Sequence, residues 1–315
     1  MNGLIYSTMQ AVLVMIGLIG ICLWLKHKGI IAEQHRPLFG KLVTDFALPA
    51  MIFYTLAAQT PSIEILVAVL VMMAAVICHL GLAYLIGRFF HLKRPQMGAF
   101  MLVAAFGSSA TLGYALITQI FSGNAGAVSD AVMISELGVG VPLFLIGVMI
   151  AMYFGGSEEG SAWSSLRSYL LSPIFIAVIA GCVASYFLAG VKNPVWDGIL
   201  SILHMVSLSL VVFVALGIAL MLKWIPLKKI AVLASVTVVL TLILQPLIAL
   251  YISGFLNLSI VDTDILVLET AMPSGMIAAV LSDRYGCDGE LASVLVIATY
   301  IFSIFTLPFI MMFSP

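Results

Sequence analysis

The chain has 315 residues, 63% of them hydrophobic and 9% charged, with thirteen Lys/Arg against fourteen Asp/Glu and a mean hydropathy of +1.22. Soluble domains carry about 25% charged residues, so an ordinary soluble globule is excluded. The near-neutral balance gives no basic excess for nucleic acid and no acidic excess for disorder.

A crossing of roughly 30 Å of hydrocarbon takes about 20 apolar residues, so ten spans would fill about two thirds of the chain and leave no sizeable extramembrane domain. Ten helices are read near 3–25, 37–58, 62–87, 96–121, 128–154, 169–190, 194–221, 229–254, 263–284 and 288–312. The first is read as a retained span, because MNGLIYSTMQ has neither a basic n-region nor a small-residue cleavage site. Cys22, Cys78, Cys182 and Cys287 form no CxxC and are read as small hydrophobes. No metal or cofactor motif is present in the pattern.

The second span carries Asp45, one turn from Lys41 and four residues before Pro49. The fourth is interrupted by FGSSATLG, from Phe106 to Gly113, with Tyr114 after it. The fifth holds Glu136 and the seventh His204. The ninth is interrupted by ETAMPSG, with Glu269 one turn before Pro273. Ionisable groups inside a bilayer are costly and usually functional. Asp45, Glu136, Glu269 and His204 are therefore candidates for proton or Na⁺ coupling, with Glu269 foremost. The bland alternatives are pairing of Asp45 with Lys41, a hydrogen-bond anchor at Glu136 and a helix-contact histidine at 204.

Orientation follows from basic residues in short loops. With both termini outside, the cytoplasmic loops and helix ends hold Lys26, Lys28, Arg36, Lys41, Arg88, Lys93, Arg94, Arg167, Lys223, Lys228, Lys229 and Arg284, and only Lys192 lies outside. The Gly/Ser-rich connection 155–168, GGSEEGSAWSSLRS, separates residues 1–154 from 169–315. Five spans per half force the second half to enter the membrane inverted. Sliding 107–131 onto 270–294 superposes Ala115, Gly123 and Gly126 on Ala278, Gly286 and Gly289.

The expected fold is thus all-α integral membrane, with ten transmembrane helices as two inverted five-helix repeats and broken, crossing helices 4 and 9. Helix breaks at membrane depth must be covered by protein or line a wet cavity, and matched breaks in inverted repeats point to a substrate site. Each break starts a new half-helix carrying free N–H groups and about half a positive charge. Ser108, Ser109, Thr111, Gly113, Tyr114, Pro273, Ser274 and Gly275 are the candidate substrate residues. An anion is the favoured ligand.

At these residues the chain resembles the auxin efflux carrier family, the prokaryotic relatives of the plant PIN-formed carriers. The resemblance spans essentially the whole chain. It rests on FALPAMIFYTLA (46–57), LETAMPSGMIAAVLSDRYGCDGELAS (268–293) and FSIFTLPFIMM (302–312). It implies a scaffold of residues 1–58 and 169–221, often dimeric, and a transport domain of 62–154 and 229–315 moving as an elevator. It also implies organic-anion substrates such as auxin, malate or malonate. The family usually carries Asn and Pro at the first crossover; Ser108 and Ala115 stand there in this sequence.

The expected function is secondary transport of a small organic anion across the cell membrane. Export would be driven by the inside-negative potential, about 2.3 kcal/mol per charge per 100 mV. A bile-acid-type sodium symporter is the nearest alternative, and a channel is disfavoured because no continuous polar stripe appears. No G-x-x-x-x-G-K-[ST] loop indicates an ATP-driven pump. Ser274 and His204 would be the nucleophile and base of an intramembrane hydrolase. MPSG is not a rhomboid-type GxSG, however, and no Y-D with G-x-G-D pair occurs, so no enzyme is expected.

Overall fold

The computed structural model describes residues 2–58, 65–156, 162–188, 193–221, 231–256 and 258–313. Lys192, Lys223, Lys228, Lys229 and the linker acids Glu158 and Glu159 lie outside them. The described residues form thirteen helices and no strand. In chain order they are α1 (Asn2–His27), α2 (Glu33–Ala58), α3 (Ile65–Phe89), α4 (Arg94–Ala105) and α5, which opens as a π turn over Ser109–Gly113 and continues as Tyr114–Ile120. Then come α6 (Ala125–Gly155), α7 (Ala162–Leu170), α8 (Pro173–Leu188), α9 (Pro194–Met221), α10 (Ala231–Ser253), α11 (Ile260–Thr270), α12 (Met276–Arg284) and α13 (Gly289–Ile310).

Among the described residues seven helices are long and apolar enough to cross a bilayer: α1, α2, α3, α6, α9, α10 and α13. The shorter apolar helix α8 and the pairs α4/α5 and α11/α12 fill the other predicted positions. Two boundaries differ in detail. The sixth span does not begin as one helix at 169: the chain turns at Leu171 and Ser172 and restarts at Pro173. Proline disfavours a helical residue before it and is accepted at the first helical position. Nor is 155–168 only a connection, because α7 occupies its second half.

Three internal prolines leave a common mark. Leu48, Val141 and Gln245 each precede a proline, and their N–H groups reach back five residues to the carbonyls of Val43, Glu136 and Leu240. A proline cannot donate to the carbonyl four back and its ring crowds that carbonyl. One wide π turn ahead of it relieves the clash without ending the helix. Two of the widened carbonyls take a second donor from elsewhere: Tyr169 Oη approaches Glu136 O at 3.0 Å, and His79 Nε2 lies 2.7 Å from Leu240 O.

The helices pack in two groups. α2 runs along α8 and α9, and α1 along α9; α3, α4, α6, α10, α11, α12 and α13 pack on one another. Contacts of α1 with α5 and α13, of α2 with α6, and of α7 with α6 join the groups. The deepest core is α4 and α11, where residues 102–106 and 265–268 are fully enclosed. Helices apolar on every side must be surrounded, and α4 and α11 carry the two breaks into the centre.

Candidate functional site

α4 ends in extended backbone at Phe106, and the chain before α12 is extended at Gly275. These two unwound stretches meet. Gly107 and Ser274 form an antiparallel bridge, in which Ser108 N donates to Pro273 O at 2.7 Å and Gly275 N to Phe106 O at 2.8 Å. A bilayer offers no water to freed backbone groups, so each break satisfies the other. The remaining groups are met by side chains of neighbouring helices. Thr241 Oγ1 donates to Ala104 O and Gln245 Nε2 to Ala105 O, both at 3.3 Å, and Ser274 N donates to Thr299 Oγ1 at 3.1 Å.

The downstream ends also match. Gly123 and Gly286 adopt φ of +90° and +83°, the left-handed turn that glycine permits. Asn124 then caps α6 through the N–H of Ala127, and Asp288 caps α13 through that of Leu291. The glycine pair matched by sliding the two halves is thus a pair of equivalent turns.

A cavity of about 660 Å³ opens beside the crossover. Its walls include Ser109 and Ala110 at the start of α5, and Met276 and Ile277 at the start of α12. The first amides of a helix have no intrahelical partner and carry partial positive charge, so two such ends face one space. Lys41 and Thr44 of α2 also line it, with Gly217 of α9 and Tyr169 of α7. Much of the wall is apolar: Leu48, Val139, Leu143, Phe144, Ile174 and Val280.

The expected site residues divide. Ser108, Ser109, Thr111 and Gly275 line the cavity, as does Glu136. Ser108 and Thr111 are hydrogen-bonded through their hydroxyls, Tyr300 Oη donates to Ser108 Oγ at 2.8 Å, and Ser135 Oγ to Ser109 Oγ at 2.8 Å. Pro273 and Ser274 belong to the crossover itself. Tyr114 is fully buried, and its hydroxyl is engaged at 2.9 Å with Glu136 Oε1; it positions that acid and does not line the cavity. Glu136 is 2% exposed and takes a second hydroxyl, Tyr169 Oη, at 2.6 Å on Oε2.

Glu269 is 1% exposed, and neither carboxylate oxygen has a hydrogen-bond partner. Gly113 lies beside it and contributes space, not a ligand contact.

Asp45 and His204 are not brought to the site. Asp45 is exposed on α2, accepts from Thr44 Oγ1 at 2.8 Å and does not line the cavity. It sits within the Val43–Ala47 π turn ahead of Pro49, as does Thr44, which lines the cavity. His204 is exposed on α9, with its ring 4.8 Å from that of Tyr54. Ser274 is enclosed at the crossover, so a Ser274–His204 pair is not assembled.

Sequence reading missed Lys41 as a cavity residue, Tyr169 as a partner of Glu136, and Tyr300, Thr241, Gln245 and Thr299 as partners of the breaks. No motif marks them. Polar residues inside apolar spans were the available signal, and which break each one serves depends on packing.

A family profile described as "Membrane transport protein" matches residues 5–311. An uncharacterized transporter of Methanocaldococcus jannaschii is 27% identical over 301 residues, covering 94% of this chain and 95% of its own. An uncharacterized transporter of Methanothermobacter thermautotrophicus is 28% identical over 300 residues, covering 94% and 93%.

Proposed function

Because the chain belongs to the membrane transport protein family, that of the auxin efflux carriers, we propose that this multi-pass membrane protein is a secondary carrier for small organic anions. The observation that carries the reading is the opening of two half-helix starts, Ser109–Ala110 and Met276–Ile277, on one cavity. Two helix starts of about half a charge each, with Lys41 lining the same cavity, suit one carboxylate. The apolar walls favour a monocarboxylate with a hydrocarbon or aromatic body over a dicarboxylate, whose second charge would meet apolar side chains and Glu136.

In this reading the seven long helices, α8 and the two interrupted pairs make ten crossings arranged as inverted five-helix repeats. The matched glycine turns and Asx caps support it. Residues 1–58 and 169–221 act as the scaffold, through which two copies pair, and 62–154 and 229–315 move as the transport domain. The packing of α2 on α8 and α9, and of α1 on α9, supports that division, as does a cavity walled by both groups. With the termini outside the cell membrane, the cavity residues Lys41, Tyr169 and Val280 lie near helix ends read as cytoplasmic, which supports the loading state of an exporter.

Glu269 supplies the coupling. A carboxylate without a counter-ion is costly in a dry interior, and it is accommodated by a proton or by Na⁺. The sodium-symporter reading rests on this same group, and uptake with and without a Na⁺ gradient separates the two.

The experiment is thermal unfolding of the purified protein with a panel of mono- and dicarboxylates. A ligand at 100 times its Kd stabilises by about 2.7 kcal/mol, and an aromatic monocarboxylate such as phenylacetate is expected to raise the Tm most. No shift with any carboxylate, together with no counterflow in vesicles, would overturn the assignment.

A further inference from the structure

We propose that Tyr169 is a state-specific latch between the two helix groups, holding the transport domain in the arrangement described here until the hydroxyl lets go of Glu136. The proposal rests on the carrier reading above.

Tyr169 stands at the end of α7, immediately before the scaffold helix α8. Its side chain crosses to α6, in the moving group, and meets one face of that helix at three successive turns. Glu136 takes the hydroxyl, at 2.6 Å on Oε2 and 3.0 Å on the backbone oxygen. Gly140 forms the floor, where an added Cβ would collide with Tyr169 Oη. Phe144 stacks on the ring at 4.6 Å between centroids and 13° between planes. The spacing of 136, 140 and 144 is the i, i+4, i+8 row of one helix face.

The slot depends on the π turn ahead of Pro142, since the Glu136 carbonyl accepts from both Val141 N and Tyr169 Oη. Lys26 reaches Ala219 and Leu220 within the first group, whereas Ser108, Ser109, Thr111, Ser135 and Tyr300 serve one another within the second. Tyr169 alone among these polar contacts spans the seam that transport must shear. A slide of α6 by one turn, about 5.4 Å, would carry Glu136 and Gly140 away from it. The ring is 6% exposed and lines the cavity, so substrate entering there reaches the latch directly.

The test measures conformation and needs no substrate. Nitroxide labels are placed through Met205→Cys on α9 and Tyr251→Cys on α10, both exposed, in the full chain with C78S and C182S, reconstituted in liposomes. Pulsed dipolar spectroscopy then reads the population of each inter-label distance. Tyr169→Phe keeps the stack and deletes the hydroxyl; Gly140→Ala expels the ring while keeping its donor. Both are expected to shift the ratio of the two populations about tenfold away from the present arrangement, the scale of one hydrogen bond to an acid. G140A reaches the contact without altering the tyrosine, so a misfolded Y169F leaves the test standing. Two distances whose ratio is unchanged in both variants would overturn the latch and spare the carrier reading, as would a shift in G140A alone with folded Y169F unmoved. A single distance in wild type and both variants would overturn the carrier reading and the latch with it.

Discussion

Gly113 leaves space that the carboxylate of Glu269 occupies: a Cβ at 113 would stand 3.0 Å from Oε2 and 3.2 Å from Oε1. The second half of one broken helix is thereby shaped around the acid that precedes the other break. Acid and crossover adjoin, although Glu269 does not line the cavity, and each part is open to test.

Glu269→Gln keeps the shape and removes the charge. In proteoliposomes, dependence of phenylacetate uptake on an imposed pH or Na⁺ gradient should disappear, with membrane insertion unchanged. A variant responding to both gradients like the wild type would take Glu269 out of the mechanism. Gly113→Ala should lower the same flux at least roughly tenfold by moving the carboxylate, with the modest destabilisation of an overpacked site, about 1–3 kcal/mol.

Thr241 and Gln245 sustain the first break by donating to the carbonyls of Ala104 and Ala105. Leaving a buried acceptor unpaired costs about 1–3 kcal/mol. Thr241→Val and Gln245→Leu are each expected to lower the Tm in detergent measurably, and the double variant more. Unchanged melting in both would mean that these carbonyls find other donors.

Lys41 lines the same cavity as the half-helix starts. Lys41→Gln should raise the half-saturation concentration for an anionic probe roughly tenfold, the worth of about 1.4 kcal/mol, while leaving the maximal rate and the Tm nearly untouched because the residue is exposed. Equal half-saturation in variant and wild type would place the anion elsewhere.

Ser109→Lys sets a fixed cation at the start of α5. The expected result is trapped anion or arrested transport, seen as a changed affinity in the thermal-shift titration and loss of counterflow. Unaltered affinity would show that the fourth-helix break is not part of the binding site.

Much of the fold was legible because a bilayer constrains the chain severely: apolar length sets the crossings, and Gly, Ser and Pro at mid-span mark where the backbone must find partners. The matched Gly123 and Gly286 could be read in advance because a left-handed turn leaves few residue choices. Asp45 and His204 do not line the cavity, and the sequence could not tell that, for the opposite reason. An acid or histidine within a span signals cost, but which way it faces depends on helix rotation, and the π turn ahead of Pro49 alters that rotation.

The sequence by itself determined a multi-pass membrane protein of the transport family with two interrupted helices, since hydropathy and helix breaking are local properties of the chain. Only the tertiary structure decided that Ser108 and Gly275 bind the opposite break, that Tyr114 and Tyr169 clasp Glu136, and that Glu269 stands unpartnered against Gly113. Those relations join residues some 20 to 170 positions apart, and a hydrogen bond over 3 Å is set by how helices pack, which no local pattern encodes.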